Sequence, residues 1–403
     1  MTHVVIVGAG QAGASLAAKL RSIGFDGDIT LIGAEKVPPY QRPPLSKAYL
    51  LGEMAEERLY LRPAEFYADQ NITLRLNTRV TGIDKDAKAI TLDDGETLGY
   101  DQLALTLGAH PRTLPASIGG MLDGVYAVRD LADADAMAPE FTAGKRVLII
   151  GGGYIGLEAA AVASKLGLTV TLVEMADRIL QRVAAPETSD YFRELHKAHG
   201  VDIREGVGLD RLLGDEHVTG ARLTDGTEPE IDFAVIGVGV NPATILADSA
   251  GLAIGNGITT DDHGRTSDPS IWAAGDCASS QFDGQTVRIE SVGNAIDQAE
   301  AIAINIAGGD TPYMPKPWFW SDQYDCKLQI AGLNIGYTDV YVRKGDAGVQ
   351  SNWYYKGATL LAVDAMNDPR NYMIGKRLIE AGRSPDPKLI TDPATDMKAL
   401  LKP

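Results

Sequence analysis

At 403 residues the chain has room for two or three domains, and with 45% apolar and 23% charged residues it has the balance of a globular protein with packed cores. A net charge of −17 disfavours nucleic acid and anionic membranes as partners, and no apolar run reaches the roughly 18 residues of a membrane span. Two cysteines, Cys277 and Cys326, far apart and outside any CxxC pair, exclude a disulfide framework, a zinc site, a dithiol centre and an iron–sulfur cluster carried by this chain alone.

Met1 leads within three residues into HVVIV, without the charged region and cleavage site of a secretory signal, so a cytoplasmic chain is expected. HVVIV predicts a buried strand. GAGQAG follows at once, carrying Gly8, Gly10 and Gly13. ASLAAKLRSIG then has helical spacing, with small Ala14, Ala17 and Ala18 able to lie close to a sheet, and DITLIGAE is a second strand ending at Glu35. Gly8 permits a tight turn, Gly10 lets the backbone approach a pyrophosphate, and Gly13 lets the helix pack closely. The helix N-terminus then stabilises phosphate charge. Glu35, 27 residues after Gly8, is placed to accept hydrogen bonds from a ribose. A lone GxGxxG is weak, but strand, loop, helix, strand and acid in that order point to a dinucleotide. The competing reading is a glycine-rich turn with no ligand.

PYQRPPLSKAYL (39–50) comes next. Arg42, Pro43 and Pro44 set a rigid turn, and Lys47 is expected on a short helix that begins near Ser46 as its N-cap. QLALTLGA (102–109) predicts an apolar strand ending at Gly108-Ala109.

The nucleotide pattern then repeats. KRVLIIGGGYIGLEAAAVASKLGLTVTLVE gives a strand, the loop Gly151-Gly152-Gly153-Tyr154-Ile155-Gly156, a helix, and a strand ending at Glu174. An acid there bonds both ribose hydroxyls and repels a 2′-phosphate, which favours NAD over NADP. Arg178, four residues on, could instead accept that phosphate. Two such loops suggest two dinucleotides, economically FAD plus a nicotinamide. Two copies of one ligand, or one dead site, are the alternatives.

GVGVNPAT (237–244) reads as a returning hinge, and TSDPSIWAAGDCA (266–278) as a buried strand ending in Asp276, which could hold the hydroxyls of a ribityl chain or be a solvated turn aspartate. RIESVGNAIDQAEAIAINIAGG predicts a helix whose N-terminus could meet a flavin edge. GGDTPYMPKP is a linker into KLQIAGL and DVYVRKGDAGVQSNWYYKGATLLAVDAM, short strands with glycine turns, closed by the amphipathic helix DPRNYMIGKRLIEAG. The first glycine unit and the Asp276 segment must share one ligand. The expected organisation is therefore a discontinuous FAD-binding domain (1–110 and 242–315), an inserted NAD-binding domain (111–241) and a C-terminal α+β domain (316–403). The fold class is α/β, with two Rossmann-like domains plus the α+β domain.

The two glycine units, TLGA and TSDPSIWAAGD, in this order, resemble the two-dinucleotide flavoprotein disulfide reductase superfamily. PYQRPPLSKAYL, GGGYIGLE, RIESVGNAIDQA and PWFWSDQYDCKLQIAGL resemble its NADH-dependent ferredoxin reductases. These are the putidaredoxin, rhodocoxin and palustrisredoxin reductases of haem monooxygenase systems and the reductases of aromatic-ring dioxygenases. The resemblance covers nearly the whole chain. It implies that Ala12, Lys47, Val80, Arg129, Asp276 and Val292 line FAD, with Arg42 in the same wall, and that Glu35 takes the ribose. The family often has an aspartate where this chain has Ala34. It further implies that Lys47 lies near the flavin ring, where a cation stabilises the anionic reduced form, that Glu158 points at the nicotinamide, and that Trp320 covers the isoalloxazine edge. On the residues alone, Lys47 could be a surface lysine and Glu158 a solvated acid satisfying a helix dipole. Trp318 and Phe319 are expected to be core.

Superfamily members that reduce disulfides, peroxide or oxygen need a cysteine in the segment after the first βαβ unit. This chain has none between Met1 and Asp276. The expected activity is hydride transfer from NADH to FAD, then delivery of two electrons, one at a time, to a 2Fe–2S ferredoxin. No metal site and no side-chain acid or base is required; the protein supplies orientation and electrostatics. An acidic ferredoxin calls for a basic patch, with Arg288, Lys316, Lys327 and Arg343 as candidates. Two other functions compete: a flavin-binding redox sensor resembling apoptosis-inducing factors, which often carry long added segments, and an NADH oxidase.

Overall fold

The computed structural model describes residues 1–282 and 284–402. Contacts divide the chain into two compact units. The first comprises Met1–Gln41, Glu56–His110 and Asn241–Pro317; the second comprises Arg42–Ala55, Pro111–Val240 and the chain from Trp318 onward.

The first unit is built on a parallel five-stranded sheet in the order Ile271–Ala273, Gln102–Leu105, His3–Val7, Asp28–Ile32, Ile72–Arg75. His3–Val7 lies at its centre, and Val4, Val5 and Ile6 are fully buried. An unbroken β-branched run is what a strand covered on both faces requires. On one face the helices Gln11–Ser22 and Val292–Ile306 pack on each other through Ala12, Leu16, Ala295, Ala299 and Ile302. Their small residues let the backbones approach. QLALTLGA does not stay extended to Ala109. The strand stops at Leu105 and a separate short strand, Ala109–Pro111, follows, because Gly108 takes a left-handed conformation (φ +70) that no strand interior accommodates.

The second unit holds two sheets. One is parallel, in the order Asp202–Glu205, Thr169–Glu174, Arg146–Ile150, Phe233–Ile236, Val125–Ala127. The helix Tyr154–Lys165 packs on it through Leu157, Ala159, Ala160 and Val162. The other is antiparallel, in the order Trp318–Gln323, Cys326–Gly332, Thr359–Met366, Gln350–Lys356, Asp339–Lys344. The helix Pro369–Glu380 closes over it, with Tyr372, Ile374 and Leu378 against Trp353, Tyr355 and Val363. The architecture is thus α/β, two Rossmann-like parallel sheets with a C-terminal α+β region. Among the described residues no helix is long and apolar enough to cross a membrane.

A buried polar knot fastens the antiparallel sheet to the helix Pro186–Ala198. Asp364, 1% exposed, accepts from the Tyr354 hydroxyl and from Thr188 Oγ1 at 2.7 Å; Asn352 Nδ2 donates to Thr188 Oγ1 at 2.8 Å, and the Ala185 N–H donates to the Tyr354 hydroxyl at 3.0 Å. Burial pushes the Asp364 carboxyl up to about 6, against the opposing effect of the two hydroxyl donors. The folded chain therefore keeps this proton at pH values where the unfolded chain has lost it. Stability is expected to fall by ~3 kcal/mol as pH rises from about 4 to about 6, and this term is constant above. Asp364→Asn should flatten that slope in urea titrations across this range. A variant that keeps the wild-type slope would assign it to other groups.

Candidate functional site

The two glycine loops have the same geometry. A Cβ on Gly8 (φ +112) would lie 2.2 Å from the Thr106 carbonyl oxygen, and one on Gly13 would lie 2.0 Å from the Gly8 carbonyl oxygen, whereas one on Gly10 would meet nothing within 4 Å. In the second loop a Cβ on Gly151 (φ +106) would lie 2.5 Å from the Gly237 oxygen and one on Gly156 would lie 2.1 Å from the Gly151 oxygen, while Gly153 faces open space. Gly10 and Gly153 are also the N-caps of their helices, and neither helix has a side-chain cap. Each loop thus closes tightly at its outer glycines and leaves its middle glycine, with the first N–H groups of a helix, open to a ligand. That donor set fits a pyrophosphate.

Each strand after a loop leads to its acid. Glu35 accepts from the Tyr40 hydroxyl at 2.5 Å. Glu174 is fixed at both oxygens, accepting from the Gly152 N–H at 2.7 Å and the Ala176 N–H at 2.8 Å. Arg178 is turned elsewhere. Its guanidinium donates to Ser189 Oγ at 2.5 Å and to the Ala184 carbonyl at 2.8 Å.

Of the remaining expected residues of the first unit, Ala12, Asp276 and Val292 lie at or beside the helix Val292–Ile306. Asp276 sits in the short 3-10 turn Gly275–Cys277. Gln298 Oε1 accepts from the Gly275 N–H at 2.9 Å, and Ser291, the N-cap before Val292, accepts from the Asn294 N–H at 3.1 Å. Ala12 is buried, and its Cβ lies 3.2 Å from where a Cβ on Gly275 would be. Val80 opens the strand Val80–Asp84 and is half-buried.

In the second unit the expected residues Lys47 and Glu158 form a buried ion pair. Lys47 Nζ lies 2.9 Å from Glu158 Oε1, with side chains 15% and 5% exposed. The surface-lysine and solvated-acid readings therefore fail. Two serines complete the carboxylate: Ser46 Oγ donates to Oε2 at 2.9 Å and Ser321 Oγ to Oε1 at 2.7 Å. A buried pair is tolerable only when its lone pairs are met in this way. The local turn differs from expectation. Pro43–Ser46 is a 3-10 turn with Ser46 at its end, so Ser46 caps nothing, and its hydroxyl is drawn to the acid. Arg42 Nη1 donates to the Arg129 carbonyl at 2.9 Å.

Trp318, Phe319 and Trp320 are all half-buried, because their strand is the edge of its sheet. Trp318 stacks on Trp320 (5.4 Å between ring centroids, 20° between planes) and Phe319 packs on Tyr154 at 4.9 Å. The expectation that Trp318 and Phe319 are core is corrected on this point. The Tyr154 hydroxyl is buried and Ile155 is partly exposed in the first turn of its helix.

Two of the four expected basic residues are engaged. Arg288 pairs with Glu290 at 2.6 Å and donates to the Asp276 carbonyl at 3.1 Å, while Arg343 donates to the carbonyls of Ile390 and Asp392. Lys316 and Lys327 are exposed. Both cysteines are buried and burial pushes each thiol up to about 11, so neither is a thiolate near neutral pH.

The sequence gives Ser46 the different role of a cap and does not single out Ser321 or, behind it, Gln323 and His196. One signal was available. In WFWSDQ the polar Ser321 and Gln323 share one face of a strand at period two, and both are fully buried.

A family model for pyridine nucleotide-disulphide oxidoreductases matches residues 2–299, and a reductase C-terminal model matches residues 318–401. The chain is 42% identical over 407 residues to putidaredoxin reductase of Pseudomonas putida, covering 99% of this chain and 96% of that protein. It is 42% identical over 403 residues to rhodocoxin reductase of Rhodococcus erythropolis, covering 99% and 94%. Among solved structures, the covalent putidaredoxin reductase–putidaredoxin complex matches with a TM-score of 0.96 at 41% identity, over 99% of this chain and 98% of that one. With two dinucleotide cradles and full-length similarity of this extent, the chain belongs to the pyridine nucleotide-disulphide oxidoreductase family and groups there with the ferredoxin reductases.

Proposed function

We propose that the chain is an FAD-dependent NADH:ferredoxin oxidoreductase serving a haem monooxygenase or an aromatic-ring dioxygenase. The observation that carries this reading is the pair of matched, open glycine cradles in a chain with no cysteine before Asp276. Electrons accepted at a bound flavin then have no thiol to pass to and must leave for an acceptor outside the chain. Relatives whose names join a reductase to a putidaredoxin, or to an anthranilate 1,2-dioxygenase system, support the same acceptor class.

FAD, when bound, accepts a hydride and releases electrons singly. The side chains do the remaining work. Gly8, Gly10 and Gly13 admit its pyrophosphate, with Glu35 at its ribose and Asp276 at its ribityl chain; Ala12, Arg42, Val80, Arg129 and Val292 line it. Gly151, Gly153, Tyr154, Ile155 and Gly156 admit NADH. Lys47, held by Glu158, stabilises negative charge at the flavin, Glu158 faces the nicotinamide, and Trp320 shields the ring edge. Glu174 favours NADH, and the engagement of Arg178 with Ser189 and Ala184 draws off a cation four residues on that could welcome a 2′-phosphate. We read the second unit as two domains, 111–241 for NAD and 316–403 at the C-terminus, since each has its own sheet; the FAD domain is 1–110 with 242–315. A cytoplasmic setting accords with two unpaired cysteines.

The FAD-loaded protein should reduce a 2Fe–2S ferredoxin rapidly with NADH while consuming oxygen slowly; the absence of acceptor turnover would favour a redox sensor, and fast oxygen use an oxidase. The ferredoxin rate should fall as salt rises if exposed lysines such as Lys316 and Lys327 steer an acidic partner, and a salt-independent rate would dismiss that patch. Lys47→Ala should weaken FAD binding or lower the flavin potential, by an effect on the order of tenfold, ~1.4 kcal/mol, in the equilibrium concerned; if both are unchanged in titrations, Lys47 is misplaced. Glu174→Ala should raise kcat/KM for NADPH by on the order of tenfold without making NADPH the better substrate, since Arg178 stays engaged. Steady-state comparison of the two coenzymes decides this.

A further inference from the structure

A hydrogen-bonded chain runs through the second unit from Glu158 to the surface. Glu158 Oε1 meets Ser321 Oγ at 2.7 Å, Ser321 Oγ meets Gln323 Nε2 at 3.1 Å, Gln323 Oε1 meets His196 Nε2 at 2.8 Å, and His196 Nδ1 meets the Tyr324 hydroxyl at 3.2 Å. Ser321, Gln323 and His196 are each 0% exposed. Three fully buried polar groups in line behind Glu158, two on a β-strand and one on the helix Pro186–Ala198, are costly unless every contact is satisfied, so the arrangement needs a reason.

The direction of every bond follows from its inner end. The Glu158 carboxylate, paired with Lys47, only accepts, so the Ser321 hydroxyl must donate to it. The Ser321 oxygen is then free to accept, so Gln323 presents its amide nitrogen there and its carbonyl oxygen to His196. That carbonyl only accepts, so His196 carries its proton on Nε2, and its bare Nδ1 accepts a hydrogen bond from the Tyr324 hydroxyl. Burial pushes the His196 pKa down to about 4, which keeps the ring neutral as this pattern demands. An amide does not hand on protons, so the chain orients and does not conduct. Its outer end is held under strain. Tyr324 has a left-handed backbone (φ +55), which a bulky residue rarely adopts, and its ring stacks on His199 at 3.7 Å and 12°.

We propose that His196 and Gln323 are positioning residues for hydride transfer: through Ser321 they fix Glu158, and with it the Lys47 ammonium, in the geometry that the nicotinamide and flavin meet. Without the His196 N–H, Gln323 is free to turn its carbonyl to Ser321, which then withdraws its donor from Glu158. The inference rests on the assignment of Glu158 to the nicotinamide.

The test has two readouts. Stopped-flow reduction of the FAD-loaded protein by NADH should slow by about tenfold in His196→Phe and in Ser321→Ala, with the Kd for NADH within about twofold of wild type. His196→Gln, which can offer an amide N–H at the same place, should recover the rate to within about twofold. In a Glu158→Gln background neither His196→Phe nor Ser321→Ala should slow the step further, since both act through Glu158. Ser321→Ala removes one oxygen and keeps the test valid if His196→Phe does not fold. Independently, histidine 15N NMR of the apoprotein should show His196 neutral and protonated at Nε2 from about pH 5 to about pH 9. Wild-type reduction rates in Ser321→Ala, effects that multiply with Glu158→Gln, or an Nδ1–H tautomer would each overturn the proposal. If Glu158→Gln alone reduces at the wild-type rate, the nicotinamide assignment falls and takes this inference with it; if only Glu158→Gln slows the step, the assignment stands and this inference alone falls.

Discussion

A carboxylate taken out of water constrains everything around it, and at the candidate site that carboxylate is Glu158. Its oxygens must be met, and three donors meet them: Lys47 and Ser46 from the proline turn, and Ser321 from an edge strand. Two segments far apart in sequence are thereby fixed to one point on the helix Tyr154–Lys165. Breaking such a pair on one side leaves an uncompensated buried charge, whereas the complete set is tolerated. The prolines Pro43 and Pro44 have a physical purpose in this setting. They pre-set the turn that delivers Ser46 and Lys47 together, and so reduce the entropy lost in forming the pair.

The glycine cradles impose a second constraint, steric rather than electrostatic. In both loops the outer glycines stand where a Cβ would strike a carbonyl, and the middle glycine faces open space. The same solution arises twice because a strand, a tight turn and a helix start can be joined closely in few ways. The charge logic differs between the two copies. Glu174 is pinned by two backbone N–H groups, while Glu35 is steadied by the Tyr40 hydroxyl. Net charge gives little guidance at this scale. A chain of charge −17 still holds an ammonium where the proposed chemistry needs one, because screening confines each field to its neighbourhood.

Much of the frame was legible in sequence because it is local. GAGQAG and GGGYIG, each after an apolar strand and before a helix, define their own geometry over about thirty residues, and Asp276 at the end of IWAAG follows the same logic. What sequence misjudged depends on distant partners. Ser46 reads as a cap until an acid 112 residues away draws off its hydroxyl. Arg288 and Arg343 read as surface cations until carbonyls and Glu290 take them up. Trp318 and Phe319 read as core until their strand proves to be the sheet edge, open on one side.

The sequence by itself determined the two dinucleotide cradles, the acids at the strand ends and the absence of a thiol before Asp276, because each is a matter of residue type and short spacing. Only the tertiary structure decided which charges are buried together. The Lys47–Glu158 pair, the Arg178–Ser189 bond and the line from Ser321 through Gln323 to His196 join residues from separate segments or successive turns. Burial, which removes the competition of water, gives such bonds their strength and direction, and no local pattern in the chain encodes burial of that kind.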